Sequence, residues 1–174
     1  MIKITSSIAR LLVFIIFIFA SPWSARADEA NIPPIQIKLN LNEMKIEVEG
    51  EPLKKNISLK AGQRYKLTFE NRGSVRHEVL LGRGIQHNIE NHELEYAQNL
   101  LSATSTIITG AIFLGEQKKI WYAETPGFNE LELDPGTRIS IIFTLNETQV
   151  GDWEIGCFAP GHHEAGMFIS LTVQ

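Results

Sequence analysis

"DWEIGCFAPGHHEAGMFISLTVQ", residues 152–174, decides how this chain is read. On either side of its Pro/Gly-containing middle, apolar and polar residues alternate. Trp153, Ile155 and Cys157 share one face before it; Met167, Ile169, Leu171 and Val173 share one face after it. Successive side chains of an extended backbone point to opposite faces, so period-two alternation marks half-buried strands. The stretch therefore reads as two strands joined by a loop that turns sharply at Pro160-Gly161. That loop and its flanks hold the only cysteine of the chain, Cys157, with His162, His163 and Met167.

The same alternation runs through most of the chain. "IQIKLNL" (35–41) places Ile35, Ile37, Leu39 and Leu41 together, and "MKIEVEG" (44–50) does so for Met44, Ile46 and Val48. "RYKLTFEN" (64–71) alternates Tyr65, Leu67 and Phe69 with polar residues, and "NRG" (71–73) is a turn before the strand "SVRHEVLLG". "FNELELDPGTRISIIFTLN" (128–146) carries a Pro-Gly turn between two more alternating runs. Short alternating segments separated by turn residues predict an all-β, antiparallel β-sandwich.

Residues 84–127 break the pattern and read as an insertion over one end of the sandwich. "NIENHELEYAQNLLSA" (88–103) predicts a helix, with Asn88 as its cap and Glu90, Glu93 and Glu95 early in it. "STIITGAIFL" and "KKIWYAE" each suit a strand or a buried loop. His87 and His92 read as surface residues of this polar stretch, and Trp121 and Trp153 as core aromatics.

In "SVRHEVLL", His77 shares its face with Val75, Val79 and Leu81, so it falls on a core-facing stripe, as do Cys157 and Met167. A buried cysteine alone is usually an inert thiol. One thiol, two imidazoles and a thioether converging on one end of a sandwich are instead the donor set of a mononuclear electron-transfer copper site. Thiolate and thioether suit Cu(I), and imidazole suits both oxidation states. A zinc site would use harder or more numerous ligands and no methionine.

The Cys-x4-His-x4-Met run in "CFAPGHHEAGM" (157–167), with His77 upstream in "NRGSVRHEVLLG", resembles the copper signature of the cupredoxin family of small blue copper proteins, its loop spacing most like the rusticyanin and azurin types. The resemblance covers roughly residues 33–83 and 128–174. It implies a Greek-key β-sandwich, one type 1 copper ion and one-electron transfer, with His77, Cys157, His162 and Met167 as the ligands. Two departures stand out. Glu78 occupies the position after the first histidine, where a small polar residue that ties down the cysteine loop is common. His163 directly follows the ligand histidine and reads as its solvent-facing neighbour.

The N-terminus addresses the compartment. Lys3 and Arg10, the apolar run "LLVFIIFIFA" (11–20) and the Ala25-x-Ala27 box describe a secretory signal peptide, cleaved after Ala27. The run is shorter than the ~20 apolar residues of a membrane span. Cleavage would take three of the 16 basic residues and none of the 20 acidic ones, leaving 13 against 20, a net charge of −7 over residues 28–174. That balance excludes nucleic acid and anionic membrane surfaces as partners, since both need a basic footprint. A lone cysteine in an oxidising compartment has no intramolecular partner, so it is inert and buried, used as a ligand or nucleophile, or paired with another chain.

The expectation is an exported, periplasmic-type, single-domain blue copper protein that carries electrons between redox partner proteins and is not an enzyme. The rival reading is a copper-binding protein for tolerance or delivery, handing its metal to an acceptor protein.

Overall fold

The two strands read from residues 152–174 do form, and they pair with each other in the computed structural model, which describes residues 33–88, 94–114 and 117–174. In chain order the strands are β1 (Ile35–Asn42), β2 (Lys45–Val48), β3 (Asn56–Leu59), β4 (Arg64–Asn71), β5 (His77–His87) and β6 (Leu94–Asn99). They continue with β7 (Thr106–Leu114), β8 (Gln117–Thr125), β9 (Glu130–Leu133), β10 (Arg138–Thr144), β11 (Gly151–Cys157) and β12 (Phe168–Val173). Among the described residues the one helical element is a single 3-10 turn, Glu147–Gln149.

Two sheets result. One runs β2-β1-β4-β10-β7-β8; the other runs β3-β12-β11-β5-β6, with β9 also pairing β5. Leu39, Leu41, Leu67, Phe69 and Ile141 from the first meet Val79, Leu81, Ile155, Ile169 and Leu171 from the second in one buried cluster. These are the alternating positions of the sequence: burying them removes apolar surface from water, while their polar neighbours face outward.

The sandwich is not purely antiparallel. β1 lies parallel to β4, with Leu39 opposite Phe69, and β3 lies parallel to β12, with Leu171 opposite Ile57. Alternation reports which face is buried and is silent on strand direction. Connections that cross between the two sheets set that direction.

The helix expected over 88–103 does not form in its described part. Leu94–Asn99 is strand β6, antiparallel to the second half of β5, with Tyr96 opposite Ile85. Tyr96 is buried while Ala97 and Gln98 are exposed. The early glutamates favour a helix start locally, but an available edge of β5 and a slot for Tyr96 outweigh that preference. The stretch 84–127 is also not one added piece: β6 extends one sheet, whereas β7 and β8 extend the other. Gln149 helps tie these parts together, its Nε2 donating to the Leu100 carbonyl at 2.6 Å and to Thr104 Oγ1 at 2.7 Å.

Smaller departures have local reasons. Val75 is exposed because β5 begins only at His77, and Ile35 and Met44 lie outside the core at a strand start and a turn. Trp153 is buried as expected, with its Nε1 donating to the Gln149 carbonyl at 2.7 Å. The signal-peptide reading of residues 1–27, His92 and the Trp121 side chain lie outside the described residues. No helix among the described residues is long and apolar enough to cross a membrane.

Candidate metal centre

β11 ends on Cys157, whose Cα is in register with Val79 of β5, two residues past His77. The ligand-rich loop then folds back on itself through backbone hydrogen bonds. Phe158 N–H donates to the Glu78 carbonyl at 2.8 Å, pinning the loop to β5. Cys157 N–H donates to the Met167 carbonyl at 3.0 Å, and Met167 N–H to the His162 carbonyl at 3.0 Å. His162 N–H closes a turn on the Ala159 carbonyl at 2.9 Å. Pro160 presets the first central position of that turn; Gly161, at φ 80°, takes the left-handed second position that only glycine adopts freely.

A different device places His77. Asn71, buried at the end of β4, donates through Nδ2 to the carbonyls of Val75 and Leu133, both at 2.8 Å, and accepts from Gly73 N–H at 2.9 Å. One side chain thus ties the 72–75 turn to β9 and delivers His77 to the core. Gly73 also lies close: a Cβ would sit 3.3 Å from His77 Nε2 and 3.2 Å from the Asn42 backbone, a tight approach that a small shift would have to relieve.

The outcome is a convergent donor set. Cys157 Sγ lies 3.3 Å from His162 Nδ1 and 3.6 Å from His77 Nδ1, so both rings turn the same nitrogen to the sulfur. One donor atom from each of the three residues falls within 4.8 Å of the others. The ring centroids of His77 and His162 are 5.2 Å apart. His77 and Cys157 are fully buried, and His162 is half-buried. Met167 is fully buried at the end of the loop, bonded through its backbone to Cys157 and His162.

Electrostatics at the site follow from burial. Burial pushes the Cys157 thiol pKa up, while the backbone N–H groups of Glu78 and Ala159 pull it down. At position 78 two effects oppose each other: the Glu78 backbone lowers the thiol pKa, while the Glu78 carboxylate raises it. Burial pushes the His77 pKa down, and His162 alongside acts the same way; the Glu43 carboxylate and the Asn42 backbone oppose them. His77 Nε2 makes no hydrogen bond of ordinary geometry among the described residues, although the Asn42 backbone acts on the ring. Its ring is kept neutral, the form in which imidazole binds a metal. One thiol, two imidazole nitrogens facing it and a buried methionine fit one type 1 copper ion.

Not every expectation about the histidines holds. His163 is only 8 % exposed and is not a solvent-facing neighbour. Its Nε2 donates to Glu154 Oε1 at 2.7 Å, and its ring stacks on Phe168 with centroids 5.1 Å apart. The sequence held one signal for this: Glu154 and Gly156 share the non-core face of β11, leaving a carboxylate and a gap beside the loop. Asn71 gave none beyond its place in a turn. His87 is exposed, as read.

No protein-family model matches the chain. Over 126 residues, 68 % of this chain and 67 % of the relative, it is 29 % identical to a Pseudomonas aeruginosa protein named copper-resistant cuproprotein CopI. Among solved structures it aligns with the copper-containing nitrite reductase of Thermus scotoductus at a TM-score of 0.54 and 10 % identity, over 89 % of this chain and 34 % of that one. It aligns with a multicopper oxidase from Campylobacter jejuni at a TM-score of 0.51 and 12 % identity, over 82 % of this chain and 30 % of that one. Alignment with reduced auracyanin from Roseiflexus castenholzii spans 82 % of this chain and 99 % of that one, at a TM-score of 0.49 and 18 % identity. At these identities structural likeness speaks for the fold alone; the two alignments above a TM-score of 0.5, with the mixed two-sheet topology, give this chain a cupredoxin-like β-sandwich fold.

Proposed function

We propose that this protein is an exported blue copper protein that carries single electrons between partner proteins. The observation that carries the reading is the buried convergence of His77, Cys157 and His162 within 4.8 Å, and Met167 completes the proposed ligand set. Bound there, copper would supply a one-electron couple that none of these side chains offers at ordinary potentials. The chain's own part is to hold the donors still. His77 comes from the start of β5, and the other three sit on or beside β11 and β12, which pair with each other. A packed interior resists rearrangement, and burial of Cys157, Met167 and His77 keeps water from the sulfur. His162 is the half-buried member of the set, so its ring edge, with Pro160 beside it, is where a redox partner would dock. Four protein donors leave no position for a substrate, which is why we read the protein as a carrier and not an enzyme. Residues 1–27 would direct export and be removed, and 28–174 would act as one domain.

A second reading has its own support. The relative in Pseudomonas aeruginosa is named for copper resistance, which favours a role in copper tolerance or delivery through a copper acceptor protein. Electron self-exchange and copper transfer separate the two: fast self-exchange with slow metal release supports the carrier of electrons, and the reverse supports the carrier of metal.

The test is an absorption and EPR spectrum of the protein after addition of Cu(II). An intense thiolate-to-copper band with narrow copper hyperfine splitting is expected; a colourless Cu(II) complex would overturn the blue-copper reading. His162→Gly is expected to leave the sandwich folded, since the residue is half-buried in a loop, and to open the site. Its visible band should then shift on addition of imidazole, whereas an unchanged spectrum would remove His162 from the set.

A further inference from the structure

The residues that follow the three proposed loop ligands meet at His163. Phe158 follows Cys157, His163 follows His162 and Phe168 follows Met167. His163 lies between the two phenylalanines, with centroids 4.9 Å from Phe158 and 5.1 Å from Phe168. Tyr96, from β6, closes the row edge-on against Phe158 at 4.7 Å. Strand alternation accounts only for Phe168, which starts β12 facing away from the core; the turn over residues 159–166 brings His163 beside it.

Glu154 locks the row. Its Oε1 accepts both from the Tyr96 hydroxyl at 2.6 Å and from His163 Nε2 at 2.7 Å. Two glycines make room. A Cβ on Gly156 would stand 2.6 Å from the Tyr96 hydroxyl and 2.9 Å from His163 Cδ2; one on Gly82 would stand 2.5 Å from Tyr96 Cβ and Cγ. Burial, together with the bond to Glu154, raises the Tyr96 pKa far above the ordinary range of a phenol, so the hydroxyl stays a donor.

We infer that Tyr96, Glu154 and His163 form an outer brace that holds the 158–166 loop in its metal-binding shape before the metal arrives. This rests on the reading of Cys157, His162 and Met167 as ligands. The brace gives β6 a role at the site: it brings a tyrosine from a remote part of the chain to clamp the far side of the ligand loop. Its members are positioning residues: His163 adjoins His162 in the chain, and Glu154 and Tyr96 act on the site through His163 and Phe158. Outer partners of metal ligands commonly change metal affinity by about tenfold or more when removed.

The experiment compares Glu154→Leu, Glu154→Gln and Tyr96→Phe with the parent protein. In metal-free protein, amide exchange at His162, Ala165, Gly166 and Met167 is read site by site. Loss of a hydrogen bond to a charged group should speed it about fivefold or more in Glu154→Leu, with a smaller effect in Tyr96→Phe. Glu154→Gln should stay near the parent, since one amide oxygen accepts both bonds. After Cu(II) addition, Glu154→Leu should show an altered ratio of its visible bands and about tenfold faster loss of copper to a chelator. A merely structural role would lower the melting temperature and leave the band ratio unmoved. Parent-like exchange and spectrum in both Glu154→Leu and Tyr96→Phe would overturn the brace. The exchange arm needs no metal, so a parent protein without a blue band would refute the copper reading alone.

Discussion

Cys157→Ser is expected to abolish the intense visible absorption proposed for the Cu(II)-treated protein and to leave the β-sandwich folded. The band arises from charge transfer out of a thiolate sulfur, and a serine hydroxyl is a hard, protonated donor that cannot replace it. The change is nearly isosteric, so no cavity opens at this fully buried position. The backbone N–H groups of Glu78 and Ala159 that act on the sulfur remain to meet the hydroxyl oxygen. Destabilisation should therefore stay within the ~1–3 kcal/mol of an imperfectly satisfied buried polar group. Absorption and far-UV circular dichroism measured on the same sample decide the matter. An intense band surviving in the serine variant would mean that the sulfur is not a ligand.

Phe69→Ala should have the largest effect on stability. Phe69 is fully buried on β4, in register with Leu39 of β1 on one side and Ile139 of β10 on the other. Removing the ring forfeits its burial and leaves a void that strands hydrogen-bonded on both sides cannot close. The expected loss is about 3–5 kcal/mol, a large share of the ~5–15 kcal/mol that holds a typical domain together. Urea unfolding of the metal-free protein measures it. A loss below about 1 kcal/mol would show that the two sheets can collapse together at this point. Set beside Cys157→Ser, the pair separates a residue that makes the site from one that makes its scaffold.

The loop that gathers the candidate donors was legible because its information is local. Cys157, His162 and Met167 lie within eleven consecutive residues, the alternation of β11 and β12 assigns Cys157 and Met167 to the core face, and Pro160-Gly161 specifies the turn between them. His77 could be assigned to the same face of its own strand for the same reason. What brings it to the sulfur is less visible: an Asn71 side chain bridging two segments of backbone, and a glycine at 73 where any Cβ would crowd the ring.

The helix expected over 88–103 shows the opposite case. Acidic residues near a cap favour a helix in isolation, but the described part of the segment finds an open strand edge in β5 and a slot over Gly82 and Gly156 that a tyrosine fills. Neither partner is near it in the sequence. His163 was misplaced for the same reason, since an imidazole beside a loop ligand reads as solvent-facing until Glu154, Phe158 and Phe168 are seen around it.

By itself the sequence determined which residues face inward, where the sharp turn falls and which donor chemistry gathers there, because strand periodicity and turn preference act over a few neighbouring residues. Tertiary structure decided strand direction, the fate of residues 94–99, the approach of His77 to Cys157 and the burial of His163. Each of these depends on pairing and packing between segments far apart in the chain, whose free energy no local pattern records.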